Sequence, residues 1–263
     1  MKTSKSNFRF VAASVAVGAI ALAVSGANAD VIYDNTPAPL PGNVPSLGYQ
    51  ANQTAEFGNE ISFAGTDRNL TNVQIIMSDW ASQSDWPGVG DATGYDEPIT
   101  LTFYNPGSGT SVGTPIASET ETVHVPWHTP GDGFNGIAFP VNFDFTGAVV
   151  PDTVIFGVAY NTQTWGYTPY GVPGPYESLN YGLADVAPTV GTNPNPDDAY
   201  WNTETASGYT DGGAAGVGIF RQDTNWTPYA ATIQVSAVPE PASFSLLGIG
   251  ALALLRRRRR AQQ

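Results

Sequence analysis

Two histidines, His124 and His128, are the only imidazoles in the 263-residue chain, and they stand four apart in HVPWHT. On a helix, that spacing would put two metal ligands on one face. Pro126 between them and the alternating residues around them argue for a strand, where residues four apart lie some 13 Å from each other. A shared metal ion is therefore not expected. Carboxylates are more plentiful. Asp91, Asp96 and Glu97 in GDATGYDEP, and Asp197 with Asp198, are oxygen ligands of the kind Ca²⁺ takes. Neither group has the spaced acids and distant Glu of a calcium loop, so solvated loop acids are expected. Glycoside hydrolysis needs two carboxyl groups roughly 5–10 Å apart with opposed proton affinities. With 23 acids in the chain, such pairs arise without any selectivity. No G-x-S-x-G elbow and no HExxH occurs. No catalytic residue, no metal ligand set and no cofactor is expected, and the chain reads as a non-enzyme.

Aromatic residues are the other chemistry on offer. Residues 160–182, YNTQTWGYTPYGVPGPYESLNYG, and 193–216, NPNPDDAYWNTETASGYTDGGAAG, are long Gly/Pro-rich loops dense in rings. Loops of this length are usually functional or disordered, and the aromatic content speaks against disorder. Trp165, Tyr167, Tyr170, Tyr176, Trp201 and Tyr209, with Trp226 beyond, would suit a platform on which sugar rings stack. The competing expectation is that these rings pin the loops to the edge of a core, where Tyr and Trp bury area and keep a polar tip wet.

The elements that must position these groups read as strands. PITLTFYN sends Ile99, Leu101 and Phe103 to one face and Thr100, Thr102 and Tyr104 to the other. GIAFPVNFDFTG repeats the pattern with Ile137, Phe139, Val141, Phe143 and Phe145. Val73, Ile75 and Met77 mark an earlier strand, and Ile233 and Val235 a last one. Period two is the signature of strands with one buried face. TVIFGVAYN is apolar on both faces and predicts a central strand, while Pro140 predicts an edge position or a bulge. No stretch offers a helix of ten or more residues with period 3.6, and turn signals such as NPGSGT, HTPGDG and DGGAAG punctuate the chain. The expected fold is all-β: a single jelly-roll-like β-sandwich over residues 30–237, with its first and last strands close together. A parallel β-helix is the alternative, but no fixed repeat length appears.

Charge and cysteine usage narrow the partners. The net charge is −13, and between Asp30 and Leu255 the only basic residues are Arg68 and Arg221. Nucleic acid is thereby excluded as a partner, since phosphate neutralisation needs clustered Lys and Arg. Cysteine is absent, which rules out a disulfide framework and thiolate chemistry. The basic residues sit instead at the two ends. Lys2, Lys5 and Arg9 precede an apolar run to Val24 and a small-residue exit at Ala27-Asn28-Ala29, which together describe a secretory signal peptide over 1–29. Residues 238–263 hold Pro239-Glu240-Pro241, thirteen uncharged residues from Ser243 to Leu255, and Arg256, Arg257, Arg258, Arg259 and Arg260. A helix of thirteen residues reaches about 20 Å, short of a hydrocarbon core about 30 Å thick. The arginines resist translocation and stay cytoplasmic. The tail is therefore expected to be a short transmembrane helix that pauses export.

This three-part tail resembles the PEP-CTERM sorting signal of bacteria with an outer membrane. The resemblance covers about the last twenty-five residues, with Pro239, Glu240 and Pro241 as the motif, 243–255 as the helix and Arg256–Arg260 as the basic end. It implies processing by a membrane-embedded exosortase, passage through a membrane-anchored precursor, and delivery to the cell surface or extracellular matrix. Proteins of this kind accompany exopolysaccharide and biofilm production, so exopolysaccharide is an implied partner. The stretches YDNTPAPLPGNVPSLGYQANQTAEFGNEISFAG and YTDGGAAGVGIFRQDTNWTPYAATIQV are similar to a head domain recurring in exported bacterial proteins, and that likeness carries over no functional residues. The expected role is structural or adhesive in the envelope or biofilm. The alternatives are a carbohydrate-binding module using Trp165, Tyr167, Tyr170, Trp201 and Trp226, and, more distantly, a secreted glycan hydrolase.

Overall fold

The computed structural model describes residues 29–52, 54–160, 174–203, 216–217 and 219–239. In chain order the strands are β1 (Asp30–Asp34), β2 (Ser46–Gly48), β3 (Thr54–Gly58), β4 (Glu60–Ser62), β5 (Asn69–Asp79), β6 (Gly94–Pro106), β7 (Val112–Pro126) and β8 (Ile137–Asp144). They continue as β9 (Thr153–Tyr160), β10 (Leu179–Ala184), β11 (Asp198–Thr203), β12 (Gly216–Val217), β13 (Arg221–Thr224), β14 (Ala230–Ala231) and β15 (Gln234–Val238). The described helical elements are one turn at Tyr49–Asn52 and a 3₁₀ turn at Pro175–Ser178.

These strands form two sheets, antiparallel throughout except where β12 lies parallel to β11. One sheet runs β1-β15-β5-β10-β14, with β8 on the other flank of β5 and β2 beside β10. The other runs β12-β11-β3-β9-β6-β7, with β13 beside β11 and β4 beside β9. The expected β-sandwich is the architecture found. Each sheet has a spine. β5 faces β8 along Asn72–Asp79, and on its other side meets β15 with its first half and β10 with its last three residues. β9 is paired on both sides and buried almost throughout, as its two-faced apolar sequence predicts. β8 pairs only with β5, which makes it the edge strand that Pro140 implied. β1 pairs with β15 from Asp30↔Ala237 to Asp34↔Gln234, so the first and last strands are neighbours.

Alternation builds the core. Val73, Ile75 and Met77 of β5, Ile99, Leu101 and Phe103 of β6, and Phe156 and Val158 of β9 are all fully buried between the sheets. At about 1.5–3 kcal/mol per buried large apolar side chain, this interior is the main stabilising term in a chain without disulfides. Strand splices need polar help. β14 and β15 are separated by Thr232 and Ile233, and two buried asparagines bind the backbone there. Asn35 Nδ2 donates to Ala231 O at 2.9 Å, and Asn35 Oδ1 accepts from Ile233 N–H at 2.7 Å. Asn59 Oδ1 accepts from Ala231 N–H at 2.7 Å while its Nδ2 donates to Asp198 O, tying the two sheets together. Gly58 is required beside this point, because a Cβ there would land 1.8 Å from Phe156 O.

Arg68 is structural. Its guanidinium donates to the carbonyls of Ala64, Gly65 and Asp67, and Nη2 lies 2.8 Å from Asp152 Oδ1. It closes the β4–β5 turn over the ring of Phe63.

Candidate functional site

The sequence-nominated carboxylates do not converge. Asp91 Oδ1 accepts from Thr93 N–H, Thr93 Oγ1–H and Gly94 N–H, and these bonds hold its carboxyl below the usual range. It is the cap of its own turn. Asp96 points outward to His124 Nδ1 at 2.9 Å, and the other ring nitrogen of His124 meets Thr93 Oγ1 at 2.9 Å. Glu97 points the opposite way, into the interior, and is 3 % exposed. Asp198 accepts from Gln222, and Asp197 receives the N–H of Thr227. His128 turns to Asp132 at 3.3 Å, so the two histidines serve different partners. Among the described residues no group of three His, Cys, Asp or Glu side chains is placed to hold a metal ion.

Trp165, Tyr167 and Tyr170 lie outside the described residues, as do Tyr209 and the segments of the proposed signal peptide and membrane helix. Trp201 and Trp226 are described, and they meet. Trp201 is 3 % exposed, its Nε1–H donates to Thr54 Oγ1 at 2.8 Å, and its ring meets those of Phe57 and Trp226 edge-on. It belongs to the core rather than to an open stacking surface, because β11 is an inner strand of its sheet. Trp226 packs 4.7 Å from Phe57 and donates to Asp223 Oδ2 at 3.0 Å. The pair lines a cavity of about 300 Å³ together with Leu47, Asn52, Asp223, Thr224 and Asn225. Among the described residues lining it, Trp226 is the partly exposed aromatic side chain.

Sequence reasoning missed a buried acid. Asp79 ends the inward row Val73, Ile75, Met77, and Glu97 precedes the inward row Ile99, Leu101, Phe103; period two, carried one step further, would have found both. Asp79 is fully buried, and burial pushes its carboxyl up to about 7 against the lowering effect of Tyr95 O–H, which donates to Oδ1 at 3.1 Å. Among the described residues Asp79 Oδ2 has no hydrogen-bond partner. Burial likewise raises Glu56 to about 7, opposed by the 2.8 Å bond from Tyr104 O–H. Glu56 and Phe57 are successive residues of β3, so Glu56 lies on the outer face of its sheet while Phe57 enters the core. The two raised carboxyls are thus on different faces and do not form an acid–base pair.

The C-terminal strand carries the clearest functional geometry. β15 lies between β1 and β5, Ala237 is fully buried with Asp30 on one side and Leu70 on the other, and Val238 opposes Asn69. Pro239 follows, exposed and without a backbone donor, and there the ladder stops. Residues 237–260 match the family model described as the PEP-CTERM protein-sorting motif. The chain carries a PEP-CTERM sorting signal. No curated protein and no solved structure matches the chain. The PEP-CTERM signal makes this an exosortase-targeted exported protein with a membrane-anchored precursor, and its first two residues are the last two of strand β15.

Proposed function

We propose that the sandwich is the lasting product of exosortase processing, trimmed near Pro239-Glu240-Pro241 and retained as a structural or adhesive component of the cell surface or matrix, without catalytic activity. The supporting observation is the place where the signal joins the fold. Its attachment point is not a loose linker but the end of a strand hydrogen-bonded on both sides. Tension applied through the C-terminus would load those ladders in shear, along the strand, where many hydrogen bonds must yield together. The short apolar run and Arg256–Arg260 hold the precursor in the membrane with the motif on its outer side. Exopolysaccharide is the matrix partner this reading favours.

Fractionation of the native host tests it. Wild-type protein is expected in trimmed form, sedimenting with envelope or matrix material. Glu240→Ala is expected to accumulate untrimmed in the inner membrane. Trimmed protein found only as a free solute in the medium would contradict the structural or adhesive role.

A further inference from the structure

Two exposed aromatic residues outside both the core and the long aromatic loops rise from adjacent backbone at one end of the first sheet. Trp80 directly follows β5 and is 46 % exposed, and Phe134, in the turn before β8, is 50 % exposed. Their supports are adjacent: Asp79 pairs with Ile137, and Ala138 N–H donates to Gly42 O at 2.9 Å. Each ring is seated on a glycine. A Cβ on Gly136 would lie 2.2 Å from Trp80 Cδ1, and one on Gly42 would lie 2.3 Å from Phe134 Cε2. Polar contacts hold both in place. Trp80 Nε1–H donates to Ser78 Oγ at 3.0 Å, and the Ser78 hydroxyl donates to Asn43 Oδ1 at 2.7 Å. Phe134 N–H donates to Asp132 Oδ1 at 2.9 Å, the same oxygen that faces His128 Nε2, while His128 N–H donates to Ala81 O.

Scattered exposed apolar side chains are ordinary, but two rings immobilised on adjacent supports, with open surface and a polar rim, form a prepared contact surface. We propose that Trp80 and Phe134 form a stacking platform for a neutral polysaccharide chain. Sugar rings present C–H-rich faces that lie against aromatic faces, and hydroxyl groups that exchange hydrogen bonds with a rim such as Asn43 and Asp132. Charge selects among glycans. The protein carries −13, the rim among the described residues holds Asp132 and no Lys or Arg, and an anionic polymer is repelled. Area selects against a protein partner. Two half-exposed rings leave about 200 Å² open, whereas a stable protein interface takes about 800 Å² from each side. This site is independent of the processing route and of the trimmed product's final location.

Native affinity electrophoresis of the mature protein tests the platform, with hydroxyethylcellulose, galactomannan, xyloglucan and dextran in the gel and alginate as the anionic comparison. At least one neutral polymer is expected to retard the protein, with alginate having no effect. Trp80→Ala and Phe134→Ala should each weaken the retardation at least tenfold at an unchanged thermal midpoint. Gly42→Ala keeps both rings but displaces Phe134 from its seat, and it should weaken binding as well. Retardation by none of the neutral polymers, retardation by alginate alone, or equal retardation of wild type and all three variants overturns the proposal.

Discussion

Asn35 shows what a single side chain does in this sandwich. Its amide supplies one donor and one acceptor to Ala231 O and Ile233 N–H, at the splice between β14 and β15. Asn35→Ala leaves both buried without it, and each such loss costs about 1–3 kcal/mol. The expected result is a loss on the order of 3 kcal/mol in urea unfolding, with the fold retained. Asp79 makes a pH-dependent contribution. Burial holds its carboxyl at about 7 in the folded protein, while an unfolded aspartate titrates near about 4. Between those values the folded state keeps a proton that the unfolded chain has released. Stability from this group is therefore full below about pH 4 and is lost as pH rises through about 7. Glu56, raised by burial to about 7, acts in the same direction over the same window. Asp79→Asn mimics the protonated acid, so its urea midpoint should exceed wild type at pH 8 and the gap should shrink toward pH 4. A gap that does not change with pH would contradict the assignment.

At the scale of elements, β8 shows how the sheet protects its open edge. Ala138 N–H points away from β5 to Gly42 O, and with two-residue alternation Pro140 N faces the same outer side, where its missing donor breaks no ladder bond. Pro140→Thr restores an exposed donor on an edge strand. Its expected effect is concentration-dependent association by light scattering at a nearly unchanged melting temperature; equal scattering would show that the edge needs no such guard. Strands with clear apolar patterns were legible beforehand: β5, β6, β8 and β15 carry their buried faces in period two, and β9 shows its central place by being apolar on both faces. β13 was not, because RQDT has no apolar residue to alternate and is a strand through its pairing with β11 and its bridge to Ser111. The aromatic residues were legible as a class but not by environment. Trp201 is sealed because β11 is an inner strand, and Trp80 stays open because its ring lies on Gly136; both outcomes depend on neighbours distant in sequence.

Over the whole molecule, topology brings the first strand of the sandwich beside the strand that runs into the sorting signal. Asp30, where the mature chain is expected to begin, pairs with Ala237, where the sorting match begins. Both termini of the sandwich therefore leave from one end of the β1–β15 pair, and trimming on either side need remove no strand. Cutting beyond Val238 preserves the ladders to β1 and β5, whereas a cut inside β15 would strip buried Val235 and Ala237 from the core. The folded body thus limits how far processing can advance toward the domain. Intact-mass spectrometry of the protein isolated from its native host tests this most directly. The mature species is expected to begin at Asp30, to end after Val238 and before Arg256, and to retain the whole of β15. A mature species that still carries Arg256–Arg260, or one that ends upstream of Gln234, would contradict the account.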